Sequence, residues 1–270
     1  MESDKQQIVP KVLKSLAQLF GTEVHNRRLE IPKNYGNGYC AGYVFNKHIR
    51  MLILHYELHE DVIIENPEID SSSQMILFKF QNSIIKTDGN GILIPTIPSI
   101  LITTSSMNTD TVIPVHSTMA TINIEVDSEY LNSLFHSSQQ SLVLQILLEN
   151  TAPLLFEQMM EPSLQVIVDE IVNGSVSANF ELFFLRIKAE ELICRLLMEM
   201  EKRNEKQLSP LNIKDIQNIY KVKEQILEHL DKQPKLADLA QAANMSETKL
   251  KRYSNRFLAI VFFTIIKALG

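Results

Sequence analysis

The sequence predicts an α+β chain with a β-rich front, a helical middle and an all-helical C-terminal segment. Three observations predict it. Short runs rich in Ile, Val, Thr, Tyr and Phe, broken by Gly, Pro, Asn, Asp and Ser, fill residues 28–126. Helical spacing takes over after Asp127. A basic segment, Pro210–Arg256, holds nine Lys or Arg against six acids in a chain of net charge -6. At 270 residues, more than one domain is expected. The divisions fall at 1–127 (β-rich), 128–203 (helical), 204–211 (linker) and 212–270 (C-terminal).

The elements follow in order. Val9, Val12, Leu13, Leu16, Leu19 and Phe20 make one helical stripe over Ile8–Phe20. Strands are predicted at Tyr39–Phe45, Ile49–Leu58, Met75–Phe80, Ser99–Thr104, Thr111–Val115 and Ala120–Val126. Many short strands at close spacing point to a sandwich or jelly roll rather than a parallel sheet. Asp88–Gly91 reads as a hairpin turn or loop. Helices are predicted at Ser128–Phe135, Ser141–Glu149, Pro153–Met160, Leu164–Val172 and Phe180–Met200. In the last of these Phe183, Phe184, Ile187, Leu192, Leu196, Leu197 and Met200 form a broad apolar face, serving either an internal core or a homodimer. Glu201–Gln207 lacks an apolar anchor and reads as linker, and Ser209-Pro210 opens a helix running to Leu230.

Composition excludes several classes. Net negative charge confines any DNA contact to a local basic face. Cys40 and Cys194 are far apart and fit neither a disulfide framework nor a zinc site, so both are expected to be buried thiols. The N-terminus lacks the apolar run of a signal peptide, and Phe257–Ile266 is shorter than the roughly 20 residues of a membrane span. The expectation is a cytoplasmic protein without membrane contact. His55, Glu57 and His59 alternate along a strand and share one side. With no second ligand cluster, they are expected on a solvated face opposite Leu52, Leu54, Tyr56 and Leu58, and neither metal nor cofactor is expected. No catalytic triad, phosphate loop or carboxylate pair stands out.

The stretch Leu236–Arg252, LADLAQAANMSETKLKR, carries the functional signal. Leu236, Leu239, Ala240 and Ala243 line one face. Asn244 then tolerates the left-handed turn that ends a helix, and Ser246 can cap a second one. That second helix shows Glu247, Thr248, Lys249, Lys251 and Arg252 to solvent. Donors beside phosphate-neutralising cations suit a groove-reading helix, while a helical hairpin with a solvated charged face has the same pattern.

The string L-x-x-L-A-x-x-x-x-M-S-x-x-x-L-K-R resembles the first helix-turn-helix of the arabinose-operon regulator (AraC/XylS) family. The resemblance implies a jelly-roll (cupin-like) sensing domain, dimerising helices and a DNA-binding domain in that order. It implies a non-enzymatic transcriptional regulator whose partners are operator DNA and a small-molecule effector. It places Thr248, Lys251 and Arg252 at base-reading positions, Ser246 and Lys249 nearer the backbone, and Leu236, Leu239, Ala240, Met245 and Leu250 in the core. A jelly-roll metal-dependent enzyme or ligand-binding protein is the alternative.

The family pattern stops after Arg252, so the resemblance leads to the expectation of an incomplete C-terminal domain. A synonymous set of codons for Tyr253–Gly270, read in a shifted frame, supplies the family's Phe-Lys, Phe-Gly-x-Ser and later Arg in order. The expectation is a frameshift after Arg252 that truncates the domain and impairs DNA binding. The gene's nucleotide sequence tests this: the shifted frame should continue into a second helix-turn-helix, and a frame that does not continue refutes it.

Overall fold

The structure is a computed structural model that describes residues 8–59, 62–64, 75–82, 85–87, 93–95, 98–104, 111–113, 119–135, 142–149, 155–202, 218, 222 and 235–250. The chain opens with helix α1 (Lys11–Phe20) and continues through β1 (Arg28–Glu30), β2 (Gly36–Val44), β3 (Ile49–Leu58), β4 (Val62–Ile64) and β5 (Met75–Gln81). Strands β6 (Ile85–Thr87), β7 (Leu93–Pro95), β8 (Ser99–Thr104), β9 (Thr111–Ile113) and β10 (Met119–Asp127) follow. Next come α2 (Ser128–Ser133), α3 (Leu142–Glu149), β11 (Leu155–Met159), α4 (Pro162–Asn173), α5 (Ala178–Lys202) and α6 (Leu236–Ala242).

A seven-stranded antiparallel sheet runs in the order β1-β2-β3-β10-β5-β8-β11, beside two-stranded sheets β4-β9 and β6-β7. The pairs are nested: β3 with β10, β4 with β9, β5 with β8 and β6 with β7. The strands on either side of the Asp88–Gly91 segment thus pair antiparallel, while that segment lies outside the described residues.

Both faces of the large sheet are apolar around β3. One face carries Met51, Ile53, Phe78, Phe80, Ile102 and Ile122, and packs against Leu164, Ile167, Leu192 and Leu196 of the helices. The other carries Cys40, Leu52, Leu54 and Tyr56, and is covered by Leu13, Leu16 and Phe20 of α1. Each such side chain removed from water contributes on the order of 2 kcal/mol. Helix α1 sits so close to β2 that a Cβ at Gly42 would lie 2.7 Å from the Pro10 ring, so the residue there must be small. Leu19, counted in the α1 stripe from sequence, is exposed.

Three expectations are corrected. Residues 155–159 form a strand, not part of a Pro153–Met160 helix: they pair with β8, and that long-range pairing buries Phe156, Glu157 and Gln158 together. Cys194 is exposed on α5, whereas Cys40 is buried and its thiol is pushed up to about 12 by desolvation. The broad face of α5 divides. Leu185, Ala189, Leu192, Ile193, Leu196, Leu197 and Met200 enter the core. Phe180, Phe183, Ile187 and Met198 stay exposed at 64%, 67%, 45% and 52%.

Helix α5 is also fixed by polar contacts. Arg186 donates to Glu190 at 3.0 Å and to the Tyr130 hydroxyl of α2 at 3.2 Å, and Tyr130 donates to Glu190 at 3.0 Å. Lys188 bridges to Glu170 of α4 and to Glu191. The helix expected over Ile213–Leu230 is described only at Asn218 and Val222, both helical, with Val222 fully buried. Residues 204–211 lie outside the described residues.

The packing predicts that Leu196→Ala loses about 2–5 kcal/mol in chemical denaturation. Ile187→Ala should stay within about 0.5 kcal/mol. Equal losses would mean that the exposed row of α5 is as buried as its inner face.

Candidate nucleic-acid interface

Helix α6 begins after Lys235, with Asp238 in its first turn, where a carboxylate favours the positive end of the helix dipole. Its end is built by backbone chemistry. Asn244 adopts φ +51°, the left-handed region that Asn tolerates better than other side chains. The Met245 N–H donates to the Ala240 carbonyl at 2.9 Å, and the Asn244 N–H donates to the Gln241 carbonyl at 3.0 Å. Together these make a Schellman cap.

A second helical turn starts at once. Ser246 Oγ accepts from the Lys249 N–H at 3.2 Å, and the Ser246 carbonyl accepts from the Leu250 N–H at 2.9 Å. Ser246 is therefore an N-cap, and residues 247–250 are helical. Leu239, Ala240, Ala243 and Leu250 are buried, while Leu236 and Met245 are half-buried. Ser246, Glu247 and Thr248 are exposed, and Lys249 is half-buried. The structure thus brings Ser246, Thr248 and Lys249 onto the start of one helix. Lys251 and Arg252 lie outside the described residues.

In the front region, His55, Glu57 and His59 are all exposed on one side, with Tyr39 edge-on to His55 at 5.5 Å. Among the described residues, no group of three or more His, Cys, Asp or Glu is placed to hold a metal ion. Nor is any described helix long and apolar enough to cross a membrane.

A polar feature that the sequence reading did not single out lies on the sheet face opposite the helical core. There β10 turns Thr121 and Asn123 away from Ile122 and Ile124, and β8 adds the buried Ser99 and Thr103. Glu157 of β11 lies in the same register row as Asn123, Lys79 and Leu101, and is buried. The Thr121 hydroxyl and the Asn123 carbonyl oxygen are buried without a hydrogen-bond partner among the described residues. Buried polar atoms are rarely left so, because each costs on the order of 1–3 kcal/mol. The available signal was the alternation Thr-Ile-Asn-Ile-Glu-Val, which puts polar side chains on one face.

No protein-family model matches this chain, and no curated protein matches it. Among solved structures it is similar to unsaturated fatty acid bound ToxT from Vibrio cholerae, at 14% identity and a TM-score of 0.25. That match covers 82% of this chain and 78% of the other. A likeness this distant carries no argument about function.

Proposed function

We propose that the chain is a non-enzymatic, DNA-binding transcriptional regulator of the AraC type, with a small-molecule sensing region in front and DNA reading by the helix begun at Ser246. The observation that carries this reading is the doubly capped turn at Asn244–Ser246. It fixes the direction in which the second helix leaves the first, and presents Thr248 and Lys249 at its start. A reading helix needs that constraint, since base contacts are directional while phosphate contacts only position the protein. In this reading Thr248, Lys251 and Arg252 face bases, and Ser246 and Lys249 face the backbone. Leu236, Leu239, Ala240, Met245 and Leu250 hold the two helices together.

The nested strand pairs support a jelly-roll front, because pairing the first strand with the last and so on inward is how that fold winds. The Thr121 and Asn123 oxygens, without a hydrogen-bond partner among the described residues, support sensing. A ligand bearing hydroxyl or amide groups would satisfy both. The exposed row Phe180, Phe183, Ile187 and Met198 supports association of two copies through α5, and Leu196 and Leu197 are too deeply buried to take part.

Binding of the chain to a labelled random-sequence duplex, read by fluorescence anisotropy, tests the DNA arm. A dissociation constant of roughly 10⁻⁴ to 10⁻⁶ M that weakens with salt is expected, with Lys249→Ala lowering the salt slope by about 0.9. Salt-independent binding, or none, refutes it. Sedimentation at tens of micromolar tests association: a dimer that Phe183→Glu converts to monomer is expected, and a monomeric wild type refutes that arm.

A further inference from the structure

A cleft separates the β1–β2 edge of the sheet from the corner between α4 and α5. Its inner cavity, about 180 Å³, is walled by Ile53, Ile171, Val172, Phe184 and Leu185, with Tyr39 and Tyr43 beside them. It has room for roughly six water molecules at ~30 Å³ each. An outer cavity of about 700 Å³ adjoins it, and Asn26, Arg28, Val176 and Glu181 line both.

The cleft holds charge of both signs around its apolar floor. The Tyr43 hydroxyl donates to Glu181 Oε1 at 3.1 Å, joining β2 to the first turn of α5. Burial, reinforced by that carboxylate, keeps the phenol well above its ordinary range. The other Glu181 oxygen lies 4.0 Å from Arg27 Nη1, beyond hydrogen-bond length, so among the described residues that charge pair is not closed by a hydrogen bond. Arg28 stacks 3.5 Å over the Tyr39 ring and pairs with Glu30.

Arg27 itself stands in an unfavourable conformation. His25 and Arg28 exchange backbone hydrogen bonds of 2.8 and 2.9 Å, closing a two-residue turn at Asn26 (φ 49°) and Arg27 (φ 65°). Positive φ at both central residues is the type I′ turn, whose preferred sequence is Asn-Gly. Here an arginine occupies the glycine position. A strained non-glycine residue lining a cavity points to a role for its side chain.

The geometry points to a binding site for a free α-amino acid with an aliphatic side chain, its carboxylate held by Arg27 and Arg28, its ammonium by Glu181, and its side chain in the inner cavity. A simple anion would face Glu23, Glu30 and Glu181, and a simple cation would face Arg27 and Arg28. A zwitterion meets both signs in the right sense, and an aliphatic group suits the wall of Ile53, Ile171, Val172 and Leu185. The site lies on the sheet face opposite Thr121 and Asn123 and is separate from them.

Isothermal titration of the full chain with L-leucine, in the absence of DNA, tests this site independently of operator binding. Saturable heat is expected. 4-Methylpentanoate, which lacks the ammonium, and isopentylamine, which lacks the carboxylate, should each bind at least about tenfold more weakly. Glu181→Gln should lose leucine affinity by a similar factor. Arg27→Gly supplies the residue that the turn prefers, so it should raise the melting temperature while weakening leucine binding, a combination a purely structural arginine would not give. The proposal is overturned by absence of leucine heat, by 4-methylpentanoate or isopentylamine binding as tightly as leucine, or by unchanged leucine affinity in Arg27→Gly.

Discussion

The structure depends on strand β3 being buried from both sides. Met51, Leu52, Ile53 and Leu54 are four consecutive buried residues, alternately facing the helical core and α1. A slip of one residue would exchange the two sets and drive each into the wrong core, so the register with β2 and β10 is strongly determined. That register fixes where α1 and α5 can dock. It also leaves the far end of β3, with His55, Glu57 and His59, open to water.

Against this apolar frame, the places where polarity enters the interior stand out. Thr121 and Asn123 turn oxygens that have no hydrogen-bond partner among the described residues toward the sheet face opposite the α4–α5 core. Tyr43 and Glu181 join a strand to a helix 138 residues later in the chain, at the edge of a cavity. Buried polar groups weaken a fold unless something satisfies them. The two polar groups lie on opposite faces of one sheet, and Glu181 belongs to the helix whose outer row, Phe180, Phe183 and Ile187, is exposed.

The C-terminal segment depends on a different kind of constraint. Between Leu236 and Leu250 the chain turns through bonds made almost wholly by its own backbone, with one side-chain cap. Ala240 and Ala243 are both buried. This geometry is local, and for that reason it was legible in the sequence: Asn at the left-handed position and Ser at the cap are chosen by backbone chemistry.

The same distinction separates what the chain encodes locally from what only packing decides. Strands Ile49–Leu58 and Ser99–Thr104, helices α4 and α5, and the Asn244–Ser246 turn follow from periodicity, β-branching and capping, each a property of neighbouring residues. Strand β11 does not, because Leu155–Met159 has no alternating pattern and becomes a strand by pairing with β8, more than fifty residues earlier. The same holds for α5, whose apolar residues circle too widely for sequence to say which face is inner. The sheet takes Leu192 and Leu196 and leaves Phe183 and Ile187 outside. The cleft of Arg27, Tyr43 and Glu181 is decided last of all. Its members come from a turn, a strand and a helix, and only the closing of α5 over the sheet brings opposite charges within 4.0 Å of each other beside an apolar cavity.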